Sequence, residues 1–113
     1  MAGKFELNKS KKGHFMFSLK ARNGQVLLSS EQYSSKQAAQ NGISSVIRNA
    51  TDDNRIERMQ SKKGKPFFVV KGGNGRVIGS SETYSVPQAM ENGIESVKKN
   101  AINAQVVDQT SSK

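Results

Sequence analysis

The sequence predicts an α+β fold: two tandem β-β-β-α repeats plus a C-terminal strand, sharing one antiparallel sheet with two helices on one face. Three observations predict it. Residues 4–50 recur at residues 55–101, displaced by 51, with 24 of the 47 aligned positions identical. Within each copy the apolar spacing changes from a period of two to a helical period just after a tyrosine, Tyr33 or Tyr84. The pair Phe5-Glu6 returns as Ile56-Glu57 and again as Val107-Asp108 at the same spacing, giving three edge segments for two hairpin-plus-helix units. A fixed repeat requires each copy to adopt nearly the same supersecondary unit. Two copies in one chain build a pseudo-two-fold object, the covalent counterpart of a symmetric dimer.

In the first copy Phe5-Glu6-Leu7 alternates and leads into a basic turn at Lys9–Gly13. Phe15, Phe17, Leu19 and Ala21 then fall on one face of a strand. Asn23-Gly24 signals a type I′ hairpin, with both residues at positive φ, and Val26-Leu27-Leu28 is the returning strand. Ser34-x-x-Gln37 fits a capping box, after which Ala38, Ala39, Ile43, Val46, Ile47 and Ala50 make an apolar stripe at helical spacing. Gly42 interrupts that stripe at about 1 kcal/mol against alanine, as Gly93 does in the second copy, which points to close approach of helix and sheet.

The second copy reads alike. Phe67–Val70 is a strand, Asn74-Gly75 a turn and Val77-Ile78 the return, and Ser85-x-x-Gln88 opens a helix carrying Ala89, Ile94, Val97 and Ala101. Pro87 falls in the first turn of that helix, where a missing N–H does no harm. Asp52-Asp53-Asn54 is the one linker-like stretch and is too short for two freely tumbling domains. The expected organisation is a single domain over 1–113, with repeats at about 4–50 and 55–101, a last strand at about 104–110 and a frayed polar tail.

The chain has no cysteine, which excludes disulfides and thiolate chemistry, and a single histidine, His14, which Lys65 replaces in the other copy. Eighteen lysines and arginines face nine acidic residues, a formal charge of +9 that favours encounters with polyanions. The first thirty residues hold no apolar run long enough for a signal peptide or a membrane span, so a cytoplasmic protein with no membrane partner is expected. Lys71–Gly75 lacks the spacing of a phosphate loop and precedes a strand, so no cofactor is expected. No nucleophile–base pair or metal cluster can be assembled, and the expectation is a protein that is not an enzyme.

The doubled pattern of Asn-Gly, Ser-Ser-Glu-x-Tyr-Ser and Asn-Gly-Ile-x-Ser-Val resembles the bacterial YegP-like family of small uncharacterised proteins, over about residues 4–108. The resemblance implies β(3)-α-β units that share one sheet and exchange their C-terminal strands. It implies no activity, cofactor or catalytic residue.

Three sets of residues are candidates for function. Lys9, Lys11, Lys12 and Arg22, with Lys62, Lys63, Lys65 and Arg76, would bind a polyanion if the fold gathered them on one surface. Met16, Phe67 and Val69 lie on the sheet face away from the helices and form a candidate protein-partner face. Glu31, Tyr33 and Ser34, repeated as Glu82, Tyr84 and Ser85, read as a structural strand-to-helix corner, the serine capping, the ring packing and the carboxylate accepting backbone N–H groups. The expected function is a non-catalytic binding module for a protein partner, or else a sequence-independent nucleic-acid binder, working as a monomer with an internal pseudo-dimer.

Overall fold

The computed structural model describes residues 3–73, 75–102 and 104–110. The elements run β1 (Lys4–Lys9), β2 (Phe15–Lys20), β3 (Val26–Ser29), α1 (Lys36–Asn49), a 3-10 turn (Asp53–Arg55), β4 (Ile56–Gln60), β5 (Pro66–Lys71), β6 (Val77–Ser80), α2 (Pro87–Ile102) and β7 (Gln105–Asp108). All seven strands join in one sheet of order β4-β5-β6-β3-β2-β1-β7. The repeats meet at its centre, where Ser29 of β3 pairs antiparallel with Ser80 of β6, so an internal dyad passes between them. The sheet is antiparallel from β4 to β1, and β7 adds to β1 in parallel. β7 reaches that edge because α2 and its flanking segments carry the chain across the sheet from β6 to β1. The Cα radius of gyration, 13.5 Å, is that of one body of this length rather than two beads.

Both helices cover the same face. There Phe5, Leu7, Phe17, Leu19, Leu28, Phe68 and Val70 close over Val46, Ile94 and Val97, all essentially without solvent exposure. Leu27 joins this core beside Leu28 because the ladder skips it: Leu19 faces Leu28 while Lys20 faces Val26. The extra residue of that bulge breaks the strand alternation. The same skip recurs at Ile78 in β6. At the dyad Leu28 fills the space that its counterpart Gly79 leaves open, since a Cβ on Gly79 would stand 2.8 Å from the Leu28 side chain.

Three local expectations are corrected. The hairpin at Asn23-Gly24 is not type I′: no described non-glycine residue has positive φ, Gly24 alone sits at φ 89°, and its N–H donates to Ala21 O. This is the three-residue loop in which a left-handed glycine closes a turn. The other three hairpins use Gly13, Gly64 and Gly75 in the same way. Asn74 lies outside the described residues.

The cap of α1 is Ser35, not Ser34. Its φ of −139° and ψ of 157° are extended, and its Oγ accepts from Ala38 N at 3.1 Å. Since the helix starts at Lys36, Ser34 stands one residue too early. Gln37 and Gln88 do not reach back; each donates from Nε2 to the asparagine four residues on. In the second copy Ser85 likewise precedes the boundary, Val86 takes the place of Ser35, and Pro87 is the first helical residue.

The tail is tied down as far as it is described. Gln109 N donates to Leu7 O, and Thr110 bonds to Asp108 through both N and Oγ1. Residues 111–113 lie outside the described part.

Candidate functional site

The corners at Tyr33 and Tyr84 hold each helix close to the sheet. Tyr33 stacks on Phe17 with ring centroids 6.1 Å apart, and Tyr84 on Phe68 at 6.3 Å. A Cβ on Gly42 would stand 2.6 Å from Tyr33 Oη, and one on Gly93 only 2.2 Å from Tyr84 Oη, so glycine is required under each phenol. The serines before the corner fasten it: Ser30 Oγ accepts from Phe17 N and donates to Glu31 O, and Ser81 Oγ does the same between Phe68 N and Glu82 O. Burial pushes both phenols above their usual range, helped by the neighbouring Glu31 and Glu82. Both therefore remain hydroxyl donors at neutral pH, and Tyr84 Oη is buried without a hydrogen-bond partner among the described residues.

Glu31 does not accept the backbone N–H groups assigned to it from sequence. Its Oε2 stands 3.6 Å from Arg76 Nε, in the other repeat. That contact belongs to a feature that sequence reasoning missed, a cleft between each helix and the opposite repeat's hairpin. One cleft, of about 360 Å³, is lined by Tyr84, Ala89, Asn92, Gly93 and Ser96 from the second repeat and by Gln25 and Leu27 from the first. The other, of about 330 Å³, is lined by Tyr33, Ala38, Asn41, Gly42 and Ser45 with Arg76 and Ile78. Every lining position on the corner and helix is identical in the two copies, whereas the hairpin wall differs, Gln25 against Arg76 and Leu27 against Ile78. The signal was present in the sequence: Gln37, Asn41 and Ser45 recur unchanged as Gln88, Asn92 and Ser96, polar residues four apart that no core demands.

The basic turns are separated rather than gathered. Because β2, β3, β6 and β5 alternate in direction, Lys9, Lys11 and Lys12 lie at one end of the sheet and Lys62, Lys63 and Lys65 at the other. Each turn instead shares its end with the opposite repeat's hairpin, Arg76 with the first set and Arg22 with the second. Turn and hairpin are three strand spacings, about 14 Å, apart. Lys9 Nζ also lies 5.6 Å from the Phe15 ring centroid.

The carboxylates are already engaged. Glu6 holds Lys20 and Lys4, Glu57 holds Lys71, Glu91 holds Arg58, Glu95 holds Lys98, Asp52 holds Arg55 and Asp108 holds Lys36. With Glu31, that is seven of the nine acidic residues. The hydrogen bond from Lys20 outweighs burial and holds Glu6 below the usual carboxylate range.

On the sheet face away from the helices, one row crosses all seven strands: Glu57, Val69, Ser80, Ser29, Ser18, Glu6 and Val107. Val69 is buried beneath its neighbours, and Met16 and Phe67 are half-buried. Exposed apolar residues there are Met59, opposite Phe67, and Val26 and Val77, opposite Lys20 and Lys71. The described residues hold no cluster of His, Cys, Asp and Glu suited to a metal ion, and no helix long and apolar enough to cross a membrane.

These features define a two-layer α+β protein of two tandem units about an internal dyad. A family described as a domain of unknown function, DUF1508, matches residues 10–57 and again 61–108, and the chain belongs to it, carrying two tandem copies. A UPF0339 protein of Acinetobacter baylyi is 46% identical over 110 residues, 97% of this chain and 99% of that one. YegP of Escherichia coli is 46% identical over 110 residues, 97% of this chain and all of that one. The solution NMR structure of the Escherichia coli protein, a protein of unknown function, covers all of this chain and 97% of its own at a TM-score of 0.94 and 45% identity. That of a UPF0339 protein from Shewanella oneidensis covers 97% and 93% at 0.92 and 43% identity. The similarity to the YegP-like family read from the repeats is thus shown, and it brings a fold without an activity.

Proposed function

We propose that the protein is a non-catalytic binding module of the cytoplasm that works as a single chain and holds another protein in its two dyad-related clefts. One observation carries this reading: the exposed helix residues that agree between the copies, Gln37 and Asn41 with Gln88 and Asn92, sit on the cleft side of each helix, where packing does not select them. Identity at exposed polar positions is what a binding surface retains. The engagement of seven carboxylates by cations, and the raised pKa of both phenols, support a binding role over acid–base chemistry at neutral pH.

The test is affinity capture followed by binding to variants of the purified protein. The double variant Asn41→Ala, Asn92→Ala should keep its fold, since alanine is the better helix former at exposed helix positions, and should weaken a captured partner at least tenfold. Phe67→Asp should leave it unchanged. The opposite pattern would move the site to the open face around Met16, Phe67 and Val69.

A second reading, polyanion binding, is favoured by a separate observation. Lys62, Lys63, Lys65 and Arg22 share one end of the sheet, and none has a carboxylate partner among the described residues. Four phosphate contacts on duplex DNA would give a log–log salt slope of about −3.6. Titration of a random-sequence duplex across salt concentrations checks it, and binding indifferent to salt excludes it.

A further inference from the structure

The clefts offer a hydrogen-bonding ladder of defined spacing. Gln37, Asn41 and Ser45 stand four residues apart on one face of α1, about 6 Å per step along the axis. An extended polypeptide repeats every two residues, about 6.7 Å. The two repeats stay within about 1.4 Å over the two steps of the ladder, within the swing of a side-chain amide. On α2 the same ladder is Gln88, Asn92 and Ser96.

The ladder is held in place from within. Gln37 Nε2 donates to Asn41 Oδ1 at 3.1 Å, and Asn49 Nδ2 donates to Ser45 O at 2.8 Å and to Ser45 Oγ at 3.2 Å. On α2, Gln88 and Asn100 repeat these bonds at 3.1, 2.7 and 3.2 Å. What remains for a ligand is the Nδ2 hydrogens of each asparagine, the proton of each serine hydroxyl and the carbonyl oxygen of each glutamine. Asparagine and serine donors thus succeed one another along each cleft, placed to meet the carbonyls along one side of an extended chain, with the glutamine acceptor one helical turn beyond the cleft lining. Tyr84, whose hydroxyl is without a partner among the described residues, closes one side of its cleft.

The outward side of the helices behaves differently. Lys36, Gln40, Ser44 and Ile47 face Pro87, Glu91, Glu95 and Lys98 in the other copy, with no identity among the four pairs. That side meets different surroundings in the two copies, Gln40, Ser44 and Ile47 lining a cleft with Val106 and Glu91 holding Arg58, whereas the cleft side keeps its ladder in both.

Resting on the protein-binding reading above, we infer that each cleft binds an extended, acidic polypeptide segment through its main chain, with Asn41 and Ser45, or Asn92 and Ser96, reading alternate peptide units. The acidic character follows from charge complementarity. The chain carries +9, which favours acidic partners; within the clefts themselves Arg76 is paired with Glu31, and the other lining residues are uncharged.

The experiment uses the full chain and a display library of random twelve-residue peptides. Enriched peptides, labelled for fluorescence anisotropy, should be rich in Asp and Glu and should bind Asn41→Ala, Asn92→Ala at least tenfold more weakly. N-methylation of alternate residues should weaken binding at least tenfold in one register and less than threefold in the other, a pattern that loss of structure alone cannot produce. Enriched peptides indifferent to both registers, or no enrichment while whole proteins are still captured through the clefts, would overturn main-chain recognition and leave the protein-binding reading standing. No enrichment and no captured protein would overturn both.

Discussion

The two edges of the sheet descend from the same repeated segment and end in opposite ways. At one edge β1 is followed by β7, and Leu7 is wholly buried. At the other edge β4 is the last strand, and the residue equivalent to Leu7 is Arg58, paired with Glu91 of α2 through Nε at 2.6 Å and Nη2 at 3.0 Å. Gln40 and Ile47, which line a shallow cleft with Val106 of β7, become Glu91 and Lys98, and Lys98 in turn meets Glu95. The comparison teaches that a strand's sequence records what lies beyond its edge. Where β7 covers the edge, apolar residues make its seat. Where no described strand covers it, charges both fill the surface and deter pairing with a second chain.

Exchanging the two solutions is the strongest way to break that comparison. Leu7→Arg places a charge where a strand and a helix already close over the side chain, and should cost about 3–5 kcal/mol, the scale of an uncompensated buried charge. Urea unfolding measures it, and a loss below about 1 kcal/mol would show that the two edges are equivalent environments. The reciprocal change, Arg58→Leu with Glu91→Gln, should alter monomer stability by no more than about 1 kcal/mol, as exposed pairs do. Its effect should appear instead as concentration-dependent association through β4, read by light scattering. A double variant that stays as monomeric as the parent would show that those charges do not guard the edge.

The same contrast explains which parts of the molecule were legible in the sequence. Two β-β-β-α units and a further strand could be read because period-two runs, Asn-Gly turns and the helical stripe through Ile43 and Val46 are local signals, each seen twice. Local chemistry misled where one residue decides the outcome. Ser34 and Ser35 are both good caps, and only the helix start at Lys36 chooses between them. Glu31 was assigned to its own corner because its real neighbour, Arg76, belongs to the other repeat. The clefts were missed for that reason too, each being half helix from one copy and half hairpin from the other. The separation of the basic turns follows from strand direction across the dyad, which no stretch of sequence encodes alone. Leu28 against Gly79 carries the same lesson: one large and one small side chain can share an axis only because the two halves, being fused, were free to differ.

The smallest effect concerns how β7 is held. Its Asp108 carboxylate pairs with Lys36 at the start of α1, a position taken by Pro87 in the second copy, and also accepts from Thr110. Those hydrogen bonds, from Lys36 first and then Thr110, pull Asp108 down from 3.8 to about 2. A folded-state value below the unfolded one means that the ion pair stabilises the fold above the unfolded pKa and is lost as pH falls. The window therefore runs from about pH 4 down to about 2. Within it the amide protection of Val106 and Val107 should drop relative to Leu19 in the central sheet. Glu6 on β1 is also lowered, by Lys20 first and Lys4 after it, and would loosen the edge in the same direction. Asp108→Asn separates the two: it should remove the pH step at β7 while leaving any loosening around Glu6 in place. A step that persists in that variant would assign the acid sensitivity of this edge to Glu6 and its two lysines.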